Sequence, residues 1–162
     1  MEKHFAVSGF VLNESQDKVL MVYHKKLNVW VIPGGHLEAN EYPFEGAKRE
    51  ILEETGVEVG IIDSARVSIP ESKKESQVPN PIITLSEYIP AKGDKPEHIH
   101  MDLIFLARAD EAKTLKAQEA EVKDVRWMSL EEVESSNTFE SVKSIARIYL
   151  KGGEEKCESS DS

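Results

Sequence analysis

The sequence predicts an α/β (α+β) sandwich, a mixed central sheet held between helices, and three observations carry that prediction. Two apolar, β-branched runs open the chain at residues 5–12 and 18–24. Residues 41–55 then carry helical start and stop signals. More strand-like runs follow before two closing helix patterns, and this succession suggests a mixed sheet with helices packed on it. At 162 residues, 40% hydrophobic and 31% charged, the chain is expected to be one domain over residues 1–151, followed by a disordered acidic tail over 152–162.

Taken in order, residues 5–12 and 18–24 read as a hairpin joined by the polar stretch 13–17. A short apolar strand at 29–32 stops at Pro33 and delivers the chain to Gly34-Gly35, where the backbone can approach a ligand closely. Asn40 is the expected N-cap of a helix over 41–55 with Glu41 and Pro43 in its first turn, and Gly56 its left-handed stop. Residues 57–62 read as a strand that 66–69 extend, and 70–81 as an exposed loop. Strands at 82–88 and 98–107 flank a turn at 90–97. Residues 109–120 read as a loop with one helical turn, and 121–128 as a strand. Ser129 and Glu132 have the spacing of a reciprocal cap, and 139–151 form a last amphipathic helix.

Within the long helix, Glu50, Glu53 and Glu54 fall at i, i+3 and i+4 and share one patch. They sit in the last two turns, where the helix dipole disfavours negative charge by roughly 0.3–1 kcal/mol each. A cation would neutralise them, and ligands that are all oxygen point to Mg2+ or Mn2+. Further along, period-two alternation puts His98, His100 and Asp102 on one face of a strand, where they could hold a metal, supply a general base or bind phosphate. Zinc is not expected there, because no thiolate or further histidine lies nearby in sequence. His24, Lys25 and Lys26 are candidate phosphate contacts, and Trp30 reads as core.

Written as a pattern, residues 35–57 read G-x5-E-x7-R-E-U-x-E-E-x-G-U, with Gly35, Glu41, Arg49, Glu50, Ile51, Glu53, Glu54, Gly56 and Val57 at the fixed positions. This resembles the Nudix box in every specified place, and the chain resembles the Nudix hydrolase family over roughly residues 3–151. The resemblance implies an α/β/α sandwich and metal-dependent hydrolysis of a nucleoside diphosphate linked to another group. By motif position, Glu53 and Glu54 would ligate Mg2+ or Mn2+, Glu50 would ligate or act as general base, and a carbonyl near Gly35 would help bind metal. Arg49 would orient Glu50 or pair with Glu41, while Glu41 and Gly56 would be structural. The family draws its base from different places, so His98, His100 and Asp102 stay open as base or substrate contacts, with Lys25 as a phosphate contact. The box does not read the attached group. A nucleoside triphosphate, ADP-ribose or a sugar nucleotide all fit, and Pro70 lies near where some ADP-ribose-specific members carry a proline.

Composition narrows the alternatives. A net charge of −10 and a pI near 5.0 argue against long nucleic acid and anionic membranes, which also disfavours a 5′-end RNA pyrophosphohydrolase. An isopentenyl-diphosphate isomerase would need a catalytic cysteine, and the single Cys157 lies in the polar tail. The intact acidic triad argues against a silent nucleotide-binding module. No apolar run approaches the length of a membrane span, and the start lacks a signal peptide, so a cytoplasmic protein is expected. Homodimers are frequent in the family, though nothing in the sequence marks an interface.

Overall fold

The computed structural model describes residues 1–153; the expected acidic tail from 154 onward, with Cys157, lies outside the described residues. The elements run β1 (Glu2–Leu12), β2 (Lys18–His24), β3 (Val29–Val31), β4 (Gly34–His36), α1 (Pro43–Thr55), β5 (Gly60–Ile62), β6 (Ile83–Ile89), β7 (His98–Arg108), β8 (Val122–Ser129), α2 (Leu130–Ser135) and α3 (Glu140–Tyr149).

All the strands join one mixed sheet ordered β3-β2-β1-β7-β5, with β4 beside β1, β6 beside β7 and β8 beside β2. The β1/β7 pair is parallel over its full length, from Glu2 opposite His98 to Leu12 opposite Arg108, and the other pairs are antiparallel. Alternation along these central strands splits the core in two. One face gives Phe10, Leu12, Ile104 and Leu106, which pack with Val142, Ile145 and Ala146 of α3. The other gives Val7, Val11, Phe105 and Ala107, which pack with Ala47 and Ile51 of α1. Both faces of β1 are therefore buried, which is why it reads as a nearly continuous apolar run. Among the described residues, no helix is long and apolar enough to cross a membrane.

Several expectations change. The β1–β2 hairpin pairs only at Leu12 and Val19, because β7 and β4 occupy the edges of β1, and β2 turns away to β8 and β3. The long helix starts two residues late. Tyr42 is its N-cap, with the Tyr42 N–H donating to the Glu45 carboxylate at 2.9 Å, while Asn40 sits at φ 66° in the preceding turn. Glu41 stays outside the helix because Arg49 and the Glu38 N–H hold its carboxylate. The stop is as read: Gly56 has φ 76° and its N–H donates to the Leu52 carbonyl.

Residues 66–69 do not extend β5; they lie in a loop closed by the Asp63 carboxylate, which accepts from the Ala65 and Asn80 amides. Residues 109–120 form a loop without a helix, and a single turn closes at its end where the Val122 N–H donates to the Gln118 carbonyl. Further backbone bonds dock that loop on the end of α1, with Lys116 N–H donating to Thr55 O and Gln118 N–H to Glu54 O. The Ser129/Glu132 reciprocal cap forms as its spacing requires.

Candidate active site

Helix α1 carries the acidic patch toward the edge of β4. Gly34 and Gly35, expected in a loop, form β4 itself: Gly35 lies opposite Val7 of β1 and Gly34 opposite Ser8. The Gly34 N–H donates to Glu54 Oε1 at 2.8 Å. A Cβ built on Gly35 would stand 2.5 Å from Cδ of Glu50, so only glycine lets this strand and that carboxylate lie so close. Gly35→Ala is expected to leave thermal unfolding nearly unchanged, because a flexible side chain yields, and to lower turnover by about 10²-fold as the Glu50 carboxylate is displaced. Steady-state kinetics beside a melt checks it, and unchanged turnover would detach Glu50 from the chemistry.

Arg49 is the hub of the patch. Its Nε and Nη2 grip both oxygens of Glu41 at 3.1 and 2.8 Å, Nη1 donates to Glu50 Oε1 at 2.8 Å, and Nη2 also reaches the His36 carbonyl at 3.1 Å. That fork holds the Glu41 carboxyl below the usual carboxylate range and raises the Arg49 pKa further. Glu50 keeps its other oxygen free of Arg49. Burial pushes the Glu50 carboxyl up, against the pull of Arg49.

Glu54 is the strained member. It is 2% exposed, accepts one backbone hydrogen bond, and burial with the charges of Glu50, Glu121 and Glu53 pushes its carboxyl up to about 8. Glu121, which opens the segment leading into β8, was not singled out by sequence; its field acts on both Glu50 and Glu54. Glu53 is exposed, with an oxygen 3.4 Å from Arg49 Nη1. Crowded carboxylates offering only hard oxygens, one of them buried, fit a divalent ion, and Glu50, Glu53, Glu54 and the Gly35 region are the groups that could hold it.

The titration has a definite sign. The Glu54 pKa is raised from 4.5 to about 8, so its protonated form stabilises the ion-free fold fully below about 4.5, and that contribution is lost as pH rises through about 8. A bound cation demands the carboxylate. Binding Mg2+ or Mn2+ at pH 7 is therefore expected to expel about one proton, and at pH 9 nearly none. Calorimetry in two buffers of different ionisation enthalpy measures it; no proton release at pH 7 would place the ion away from Glu54.

Lys25 does stand near the patch. Together with Lys116, Lys123, Leu52 and Glu53 it lines an open cleft of about 820 Å³ at the end of α1, and its ammonium donates to the Glu119 carbonyl. His24 has a lowered pKa from burial and donates nothing to that cleft; its Nδ1 accepts the Leu27 N–H. Trp30 is half-buried against the core, with Arg126 over its ring at 5.1 Å.

His98, His100 and Asp102 share one face, as alternation required, and it is the face opposite Gly35 and α1. Asp102 is 6% exposed, and its two oxygens, each 3.0 Å from Ser8 Oγ, share the single hydroxyl proton. Burial raises it, and burial with the neighbouring Asp102 carboxylate raises Glu87 of β6. No further histidine lies near His98 and His100 in sequence, but the fold supplies two, so the donors that made zinc unexpected there are present in space. The β1/β7 pairing brings His4 opposite His100, and β4 adds His36. Burial and the neighbouring imidazoles His36, His98 and His4 lower His100 to about 4.

Known proteins resemble this chain in sequence and in fold. The NUDIX domain family matches residues 2–149, and the chain belongs to the Nudix hydrolase family. A hydrolase of the NUDIX family from Clostridium perfringens, 29% identical, superposes with a TM-score of 0.73 over 90% of this chain and 95% of that one. Nudix hydrolase 6 of Arabidopsis thaliana is 27% identical over 132 residues, 78% of this chain and 39% of its own. A Bacillus subtilis (strain 168) protein, which its own name assigns provisionally to the 8-oxo-dGTP diphosphatases, is 42% identical over 64 residues, 40% of this chain and 41% of its own. The chain thus spans about four-tenths of the length of either curated relative.

Proposed function

We propose that this chain is a divalent-metal-dependent pyrophosphohydrolase that cleaves a nucleoside diphosphate linked to another group, with a nucleoside triphosphate as its substrate. The observation that carries the reading is Glu54, a buried carboxylate crowded by Glu50 and Glu53 whose one hydrogen bond comes from Gly34. Such a group is stable as an anion only with a cation beside it. A Mg2+ or Mn2+ ion bound there supplies charge neutralisation for the phosphate and a more acidic water.

The chain's own groups do the rest. Gly34 fixes Glu54, and Arg49 fixes one oxygen of Glu50 and leaves the other for water or ion. Glu50, held above the ordinary carboxylate range by burial, is placed to take the proton from the attacking water, with Glu121 the second carboxylate whose field reaches the spot. Lys25, Lys116 and Lys123 around the cleft offset the overall negative charge for an anionic substrate. The triphosphate choice draws on the name of the Bacillus subtilis relative.

The test is pyrophosphate and phosphate release from a panel of nucleoside triphosphates including 8-oxo-dGTP, ADP-ribose, sugar nucleotides and triphosphorylated RNA, with Mg2+ or Mn2+. A nucleoside triphosphate is expected to turn over fastest, and Glu53→Gln to be silent. Metal binding without turnover of any compound would overturn the enzymatic reading, and preference for ADP-ribose would overturn the substrate.

A further inference from the structure

Four histidines from three strands well separated in sequence meet at one end of the sheet. His4 lies on β1, His36 on β4, and His98 and His100 on β7. Register explains the meeting. His4 is directly opposite His100, Ala6 is opposite His36, and residues two apart on a strand share a face.

The rings sit close, with centroids 4.7 Å apart for His4 and His98, 4.8 Å for His98 and His100, and 4.9 Å for His36 and His100. One ring nitrogen from each of the four lies within 4.8 Å of all the others, and His98 Nε2 is 3.1 Å from His100 Nε2. Zinc–imidazole bonds of about 2.0–2.1 Å put tetrahedral ligand nitrogens about 3.3 Å apart. The cluster is thus near ligand spacing and needs a contraction of about 1.5 Å at most.

Two of the rings also have partners of the kind that orient metal-binding histidines. His98 Nδ1 lies 3.1 Å from the Pro96 carbonyl, an acceptor only, so the proton is on Nδ1 and the lone pair on Nε2. His4 Nε2 lies 3.0 Å from the Glu2 carboxylate, a carboxylate–histidine pairing.

We propose that His4, His36, His98 and His100 form a second metal site, taking a Zn2+-class ion, on the face of the sheet opposite the α1 carboxylates. The donors decide the ion. Imidazole nitrogens suit Zn2+, Ni2+ or Cu2+ and suit Mg2+ poorly, whereas the all-oxygen set on α1 has the reverse preference. The two sites back onto each other through β4: Gly35 faces Glu50, and the next residue, His36, faces away. An ion here ties β1, β4 and β7 together and braces the strand that presents Gly34 to Glu54.

The test is titration of the purified, chelator-stripped protein with Zn2+, and with Co2+ followed by its visible absorption, at pH 7.5. Wild type, His36→Gln, His98→Gln and the double carboxylate variant Glu53→Gln/Glu54→Gln are compared, each with a thermal melt. The wild type and the carboxylate variant are expected to bind Zn2+ alike and to gain melting temperature from it. Each histidine variant is expected to lose at least about 10-fold in Zn2+ affinity and the Co2+ band. His36 is exposed, so its variant reports binding even where His98→Gln weakens the fold. Zn2+ affinity unchanged in His36→Gln, or lost in the carboxylate variant, would overturn the site.

Discussion

Glu54→Gln is expected to lower kcat by roughly 10²–10³-fold or more while the ion-free protein melts at or above the wild-type temperature. The two halves follow from one fact. Glu54 is almost wholly buried, and burial and neighbouring acids push its carboxyl up to about 8, so the ion-free fold carries it as an expensive anion or as a bound proton. Glutamine is isosteric, and its carbonyl oxygen can accept the Gly34 N–H that Glu54 Oε1 accepts now. The fold therefore loses little. The charge that holds a divalent ion is gone, and the affinity for Mn2+ falls with turnover. Steady-state kinetics, Mn2+ titration and a melt on the same preparation check all three, and wild-type turnover in a folded variant would remove Glu54 from the proposed ligand set.

Arg49→Ala has the largest expected effect on stability, about 3 kcal/mol, or a fall in melting temperature of roughly 10 °C. The guanidinium joins Glu41, Glu50 and the His36 carbonyl, and its side chain is only 22% exposed, so solvent screens these bonds little. Removing it strands two largely buried carboxylates at once. Glu41 loses both of its Arg49 bonds and Glu50 its orientation, so turnover is expected to drop as well. Arg49→Lys restores a charge but not the fork, and is expected to recover only part of either loss. Urea unfolding of the three proteins measures it; equal stability for Arg49→Lys and wild type would show that charge alone matters.

What the sequence disclosed was what lies within a few turns of chain. Glu50, Glu53 and Glu54 are neighbours on one helix, so their spacing displayed the patch, and Gly56 displayed the stop. The strand β4 was missed because Gly-Gly-His has no strand propensity; its place comes from pairing with Val7 and Ser8. Asn40 looked like the cap because it has the right chemistry two residues too early, and competition for Glu41 by Arg49 moved the cap to Tyr42. The histidine cluster and Glu121 were illegible for a third reason. Each is assembled by pairing or docking across the fold, and no local pattern records that His4 will stand beside His100.

The parallel pairing of β1 with β7 also governs the order in which this chain can become ordered. Val7 meets Leu103, 96 positions later, so the first strand made waits for the seventh before its main partner exists. Contacts of that separation cost loop-closure entropy before they return any stability, and they place refolding on the order of milliseconds to seconds. On the ribosome the acidic helix emerges long before the surface that receives Ala47 and Ile51 is complete. Until then its apolar stripe is exposed to solvent and to other chains, which makes the window before synthesis of β7 the period of greatest aggregation risk.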